Sequence, residues 1–401
     1  MQRWLKFTKY LPEFGWNPIV LTVDPERATY PQRDESLNKE VPSDLEVIRT
    51  SSFEVLQMYA KVAGKERVPY GGFSNEKSTA AWSRFLRGNF FIPDARKGWN
   101  KYAVTKALEL IRSRQIDCIV TTGPPHSTHL IGLEIKKELK ELRWGADFRD
   151  PWTDIYYNRE MLRTPWAKKL DSWYEKTVLK SADFCMTASH GFAELFSKKV
   201  NRHFHVITNG FDTAPASNRE LRSKDKLVIS YTGTMAESYE PEVFLKSLVG
   251  LERDFELRIA GSFSAGIQRR IDELGLSDKV TFQGYIEHDK AVEEMHQADV
   301  LLLITPQVDN SKGIIPGKLF EYLNTGNPIL AITEDLDGDV ARILEETKAG
   351  RVFKRDDEEG IKNFILSGIS KMTFDEGAIR KYHRRALSER LVGILNKAKE
   401  S

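Results

Sequence analysis

Short apolar runs rich in β-branched residues alternate with amphipathic stretches from one end of the chain to the other. Residues 19–23, 119–122, 227–231, 257–260, 280–282, 300–304 and 328–332 read as strands, with a last one near 351–353. The run Val-Leu-Leu-Leu-Ile at 300–304 has no polar position, which predicts a strand buried on both faces. Between the runs lie helix-patterned segments: Ala103, Val104, Ala107, Leu108 and Ile111 recur at helical spacing, and a final helix is predicted from about Ala378 to Lys399. Strand–helix alternation of this kind predicts parallel sheets covered on both faces. One polar segment interrupts it. Asn209-Gly210-Phe211-Asp212 is followed by Thr213-Ala214-Pro215-Ala216-Ser217-Asn218, and a new strand starts near Leu227. Proline among small polar residues there predicts a linker between two α/β halves.

Composition narrows the class. The 401 residues are 40% hydrophobic and 29% charged, enough apolar mass for two cores and unlike a disordered chain. The formal net charge of +2 argues against a global polyanion binder, so no nucleic-acid partner is expected. Cys118 and Cys185 are the only cysteines, too few for a disulfide framework or a cysteine zinc site, and a reducing compartment fits them. No apolar run approaches the ~20 residues of a membrane span. Charge is uneven, however. Residues 61–114 hold twelve Lys/Arg against four Asp/Glu, interleaved with Tyr70, Phe73, Trp82, Phe85, Phe90, Phe91, Trp99 and Tyr102. That mixture predicts either a solvated basic face over core aromatics or peripheral association with an anionic membrane surface.

In parallel sheets ligands bind beyond the carboxyl ends of strands, so Gly, Pro and charged residues at those places are the candidates. The strongest run is Gly313-Ile314-Ile315-Pro316-Gly317-Lys318-Leu319-Phe320-Glu321-Tyr322. A helix starting near Pro316 would offer backbone N–H groups to a diphosphate, with Lys318 beside them. Glu321, one turn on, could accept from a ribose diol. The same letters also describe an ordinary surface Lys–Glu pair. Gly233 with Thr234, and Gly261, follow strands where a backbone could approach a ligand, and each could equally be a plain turn glycine. In the first half, Thr122-Gly123-Pro124-Pro125-His126 follows a strand, and Asp147-Phe148-Arg149-Asp150-Pro151-Trp152 follows the next. Two carboxylates and a guanidinium at one strand end are costly to bury unpaired, so they mark a polar cleft or a structural ion pair. Neither G-x-G-x-x-G, G-x-x-x-x-G-K-[ST] nor G-x-S-x-G occurs. Asp335-Leu336-Asp337 follows a strand within an acidic turn, reads as solvated loop, and no metal is expected there.

Taken in order, Pro93-Asp94 with Gly98-Trp99, Thr122 to Pro125, Asp147 to Trp152, Ser181-Ala182-Asp183, Ile207 to Asp212, Tyr231 to Thr234 and Pro316 to Tyr322 resemble the family-four glycosyltransferases, closest to the subgroup that assembles bacterial surface polysaccharides. The resemblance implies the GT-B fold, two facing Rossmann-like domains with a cleft between them. It implies transfer of a sugar from a nucleotide diphosphate sugar to a glycan or lipid-linked acceptor, with retention of configuration and without metal or cofactor, in the cytoplasm or at the inner face of the membrane. By the same token Gly233, Thr234, Gly261, Gly313, Ile314, Ile315, Lys318 and Glu321 are implied on the donor side, Asp150 and Arg149 in catalysis, and His126, Asp94 and Trp99 on the acceptor side. The expected division is 1–215, 216–373, and a helix within 374–401 that packs back toward the first domain.

Two departures from the family matter. Where it has the first of two paired glutamates this chain has Gly313, and the usual basic pair after Gly233 is replaced by Thr234 and Ala236-Glu237-Ser238-Tyr239. A non-catalytic scaffold relative is therefore a second reading, and a nucleotide-sugar 2-epimerase a third. The family also opens with a strand and glycine-rich loop, whereas Met1 to Phe7 looks like the helix after them. A sheet without its central strand leaves edges unpaired. The expectation is a late start: a strand and glycine-rich turn encoded in frame upstream of Met1, and poor solubility and no activity for these 401 residues alone.

Overall fold

The computed structural model describes residues 2–28, 36–53, 79–212 and 226–400. They form two compact units, Met1–Thr208 with Ser388–Ser401, and Asn209–Leu387. The first boundary thus lies at 208/209, ahead of the expected 215/216. Residues 213–218 of the expected linker lie outside the described residues. Phe211 explains the shift: its N–H donates to Tyr382 O at 3.2 Å and its carbonyl accepts from Arg384 N at 2.8 Å, which ties 209–212 into the second unit.

Unit 1 comprises α1 (Gln2–Tyr10), β1 (Ile19–Val23), β2 (Glu46–Thr50), α2 (Thr79–Phe90), α3 (Asn100–Ser113), β3 (Cys118–Gly123), α4 (Ser127–Glu138), β4 (Arg143–Phe148), α5 (Pro165–Ser181), β5 (Phe184–Thr187), α6 (His190–Ser197) and β6 (His205–Val206). All strand pairs are parallel, but in two sheets: β1 with β2, and β3-β4-β5-β6. Leu21 of β1 and Ile119 of β3 both pack against a cluster centred on Ala103, Leu108, Ile131 and Ile135, so α3 and α4 cover both sheets. Of these strands β2, β5 and β6 are not among those read from the sequence: only Val47 and Ile48 are apolar in β2, and β5 and β6 are four and two residues long. In the basic 61–114 stretch, Tyr70 and Phe73 lie outside the described residues, and the side chain of Trp82 is likewise undescribed. α5 starts where proline permits it. Pro165 stands in the first turn and Thr164 Oγ1 accepts from Ala167 N at 3.3 Å.

Unit 2 comprises β7 (Leu227–Thr232), α7 (Glu242–Leu248), β8 (Phe255–Ala260), α8 (Ala265–Glu273), β9 (Val280–Gly284), α9 (His288–Gln297), β10 (Val300–Ile304), α10 (Lys318–Thr325), β11 (Ile329–Ile332), α11 (Asp339–Thr347), β12 (Gly350–Phe353), α12 (Glu358–Asn363) and α13 (Glu376–Arg380). Its sheet is parallel, in the order β12-β11-β10-β7-β8-β9. Alternation along β10 shows why that strand is wholly apolar: Val300, Leu302 and Ile304 enter one core cluster, Leu301 and Leu303 the other. The strand order reverses between β7 and β10, a switch point whose carboxyl end is where open α/β sheets bind ligands. The last helix departs from expectation. It is broken at 381–383 into α13 and α14 (Arg384–Glu400), and its part from Ser388 belongs to unit 1, where Arg390 donates to Val206 O at 3.0 Å and Asn396 accepts from Trp16 Nε1 at 3.0 Å.

Candidate functional site

The donor-side candidates gather at the β7/β10 switch point of unit 2. Gly233 and Gly261 directly follow β7 and β8, with φ of +109° and +129°. Their backbones are pressed together: a Cβ on Gly261 would stand 2.2 Å from Gly233 O. Only glycine meets both the positive φ and the close approach. Beside them α10 is anchored by its own Tyr322, whose hydroxyl accepts from Thr232 N at 3.2 Å and lies 3.3 Å from Leu302 O. Helix and strand end therefore hold one geometry, and the first residue of the helix is Lys318. Its Nζ is buried, makes no hydrogen bond among the described residues, and lies 3.7 Å from the centre of the Tyr231 ring. The same Nζ would be 3.1 Å from a Cβ on Gly233. Burial lowers the Lys318 pKa to about 7, with the Glu321 carboxylate opposing. Glu321 sits one turn along α10. Burial raises its pKa against the charges of His288, Arg384 and Lys318.

The turn before α10 differs from the expectation. α10 begins at Lys318, and the N–H groups of Leu319 and Phe320 bond to Pro316 O and Gly317 O at 2.9 and 3.2 Å. Those of Gly313 and Ile314 already donate to Asn310 O and Ser311 O at 3.4 and 2.8 Å. Of the 313–315 backbone only Ile315 N–H has no backbone acceptor among the described residues. Thr234 O is engaged too, accepting from the Tyr231 hydroxyl at 2.7 Å. Asp335 accepts from Ser311 Oγ, and Asp337 pairs with Lys312.

In unit 1 the ends of β3 and β4 meet. Arg149 N donates to Gly123 O at 3.0 Å and its guanidinium to Gly123 O and Pro124 O, so Arg149 holds the chain that leads into His126. His126 is buried and its ring stacks on Trp152 at 5.0 Å. Burial, and then His129, push its pKa well below the ordinary imidazole value, and the ring is neutral. Asp150 is half-buried beside them. Burial raises its carboxyl pKa while Arg149 opposes.

Three other carboxylates here do structural work. Asp147, fully buried, accepts from Arg3 at 3.1 and 3.2 Å, Trp4 Nε1 at 2.7 Å and Thr122 Oγ1 at 3.0 Å, which fastens α1 to the end of β4. Asp94 caps α4 through Ser127 N and Oγ at 2.8 and 2.7 Å. Asp171 of α5 takes Trp152 Nε1 at 2.8 Å and Arg163 at 2.5 Å. Trp99 donates to Thr50 Oγ1 at 2.7 Å and packs on the α3–α4 core. His129, which sequence reasoning passed over, is buried with Nδ1 2.9 Å from Thr121 Oγ1, and burial lowers its pKa to about 3. Its place three residues after His126, within the first turn of α4, was the available signal.

Residues 226–370 match the family model described as Glycosyl transferases group 1. Solved structures share the fold over most of the chain. Sucrose-phosphate synthase from Thermosynechococcus elongatus is 14% identical with a TM-score of 0.62, over 98% of this chain and 91% of that one. Anabaena HepE in complex with UDP is 13% identical with a TM-score of 0.61, over 95% and 100%. The lipopolysaccharide outer core galactosyltransferase WaaB is 14% identical with a TM-score of 0.56, over 91% and 87%. At such identities the likeness is one of fold, the GT-B fold with its parallel-sheet units of Rossmann-like kind. With a match to the group 1 glycosyl transferases over most of unit 2, and the likeness to solved structures over nearly its full length, this chain has the GT-B fold.

Proposed function

We propose that the protein transfers a sugar from a nucleotide diphosphate sugar to a glycan or lipid-linked acceptor, with retention of configuration and without a divalent metal, in the assembly of a surface polysaccharide. One observation carries the donor assignment: the buried, unbonded Lys318 Nζ at the start of α10, in front of the Gly233 strand end. A diphosphate there would take the Lys318 ammonium and the Ile315 N–H, balancing the charge that develops on the leaving group. Glu321 would accept from the ribose hydroxyls. On the acceptor side Asp150, held toward protonation by burial, is poised to exchange a proton with an acceptor hydroxyl. Arg149 positions the Gly123–His126 turn. UDP-sugars are the first donors to test, since HepE was solved with UDP.

The test is donor turnover with UDP-, GDP- and dTDP-sugars, with and without EDTA, beside calorimetric nucleotide binding. We expect turnover of one nucleotide class, unaffected by EDTA. Glu321→Ala should weaken binding by about 1–3 kcal/mol, a lost charge-assisted hydrogen bond. Activity abolished by EDTA and restored by magnesium would refute metal independence. Nucleotide binding without turnover would favour the scaffold reading, which the glycine at 313 supports.

A further inference from the structure

On the carboxyl side of the unit 2 sheet, the segments that follow β7, β10 and β11 meet at one arginine beyond β12. Arg355 Nη1 donates to Tyr239 O at 2.5 Å and to Glu240 O at 3.0 Å, and Nη2 donates to Thr305 O at 2.5 Å. Its Nε lies 3.2 Å from Glu334 Oε1, and the side chain is only 10% exposed. Tyr239 and Glu240 belong to the segment after β7, Thr305 directly follows β10, and Glu334 follows β11. A planar guanidinium can span carbonyls of two loops at once, where an ammonium offers a single point.

The segment so held, 234–240, leads away from Gly233, the strand end in front of Lys318. Toward β8 it is fixed by Met235, whose N–H donates to Ser262 O at 2.8 Å and whose carbonyl accepts from Ser264 N at 3.2 Å. Toward β10 it is fixed by Ser238, whose carbonyl accepts from Gln307 N at 2.9 Å, and by Arg355. Glu240 has a φ of +43°, a left-handed backbone that a residue other than glycine keeps only where its surroundings over-determine it. Arg355 on its carbonyl is such a constraint. The segment contains no Lys or Arg, and the N–H groups of Thr234 and Ala236 have no backbone acceptor among the described residues. What 234–240 gives an anion beside Lys318 it therefore gives through its backbone, and backbone dipoles serve only as well as their loop is held. We infer that Arg355 is a positioning residue of the donor site: by fastening Tyr239, Glu240 and Thr305 it fixes the segment that borders the diphosphate position. This role rests on the donor reading above and adds to it a residue that does not itself touch the nucleotide.

The test is calorimetry of the full chain with UDP, GDP and dTDP. For the nucleotide that the parent binds, Arg355→Met should weaken affinity about 10–100-fold, the scale of a small misplacement of binding groups. Ile271→Ala is the stability control. Ile271 is fully buried near the end of α8 that leads to the start of β9, at the opposite end of the sheet. That variant should lower the urea midpoint and bind like the parent. Without nucleotide, amide exchange at 234–240 should quicken in Arg355→Met and not in Ile271→Ala. Arg355→Lys should bind between parent and Arg355→Met; it decides should Arg355→Met not fold, and parent-like binding by it would then overturn the role. Parent-like affinity of a folded Arg355→Met, an equal loss in Ile271→Ala, or unchanged exchange at 234–240 would overturn the role of Arg355 and leave the donor reading standing. A parent chain that binds none of the three nucleotides would overturn the donor reading, and the role of Arg355 with it.

Discussion

A lysine amine that burial holds near pH 7 costs unit 2 stability while it waits for an anion. Lys318 titrates at about 7 in the folded chain against 10.5 unperturbed. Between those values the unfolded chain binds more protons than the native one, so stability rises with pH across that window. A bound diphosphate reverses the balance by raising the Lys318 pKa. Nucleotide binding should therefore take up a proton above neutrality, and affinity should fall as pH climbs past 7. Calorimetry near about pH 8.5, in buffers of different ionisation enthalpy, reads that uptake. Lys318→Met should weaken nucleotide binding about 10–100-fold, the scale of a charged hydrogen bond, yet raise the urea midpoint at neutral pH. Pure destabilisation would remove the donor role. Asp147 presents the opposite economy, a buried charge already matched. Arg3→Met leaves it with Trp4 and Thr122 but no cation, and should cost about 3–5 kcal/mol in urea unfolding. A loss within experimental error would mean Asp147 needs no cation.

At the level of elements, the strands of unit 2 and the α10 helix were legible because their signals are local. β10 announces itself by five consecutive apolar residues, and Lys318 and Glu321 by a spacing that any helix preserves. What failed depended on partners far along the chain. Asp147 and Asp150 look alike in sequence, yet Arg3, 144 positions away, claims the first as structure and leaves the second at the strand end. Asp94 and Trp99 match a family motif, but one is used on the α4 cap and the other on Thr50. The expected run of donor N–H groups at 313–315 was reduced because a tight turn at 311–313 satisfies Gly313 and Ile314 internally.

Across the whole molecule the two units differ in continuity. Unit 2 has one six-stranded sheet with a core cluster on each face. Unit 1 has its strands in two sheets joined through α3 and α4, and it buries Asp147, Asp171 and Glu175. Unfolding in urea should proceed in two steps, unit 1 first, with saturating nucleotide delaying only the second. The delay should be about 2.7 kcal/mol at a hundred times Kd. A single transition displaced as a whole would show that the units melt together. The inward grip of α5 has a geometric consequence as well. Asp171 and Glu175, one helical turn apart, clasp Trp152 and Lys199 and deny the helix any roll about its axis. Trp152 is thereby fixed, and the His126 ring stacked on it at 5.0 Å keeps one plane. The turn after β3 is thus registered to a distant helix rather than to its own loop, and a shift of α5 would reach it first.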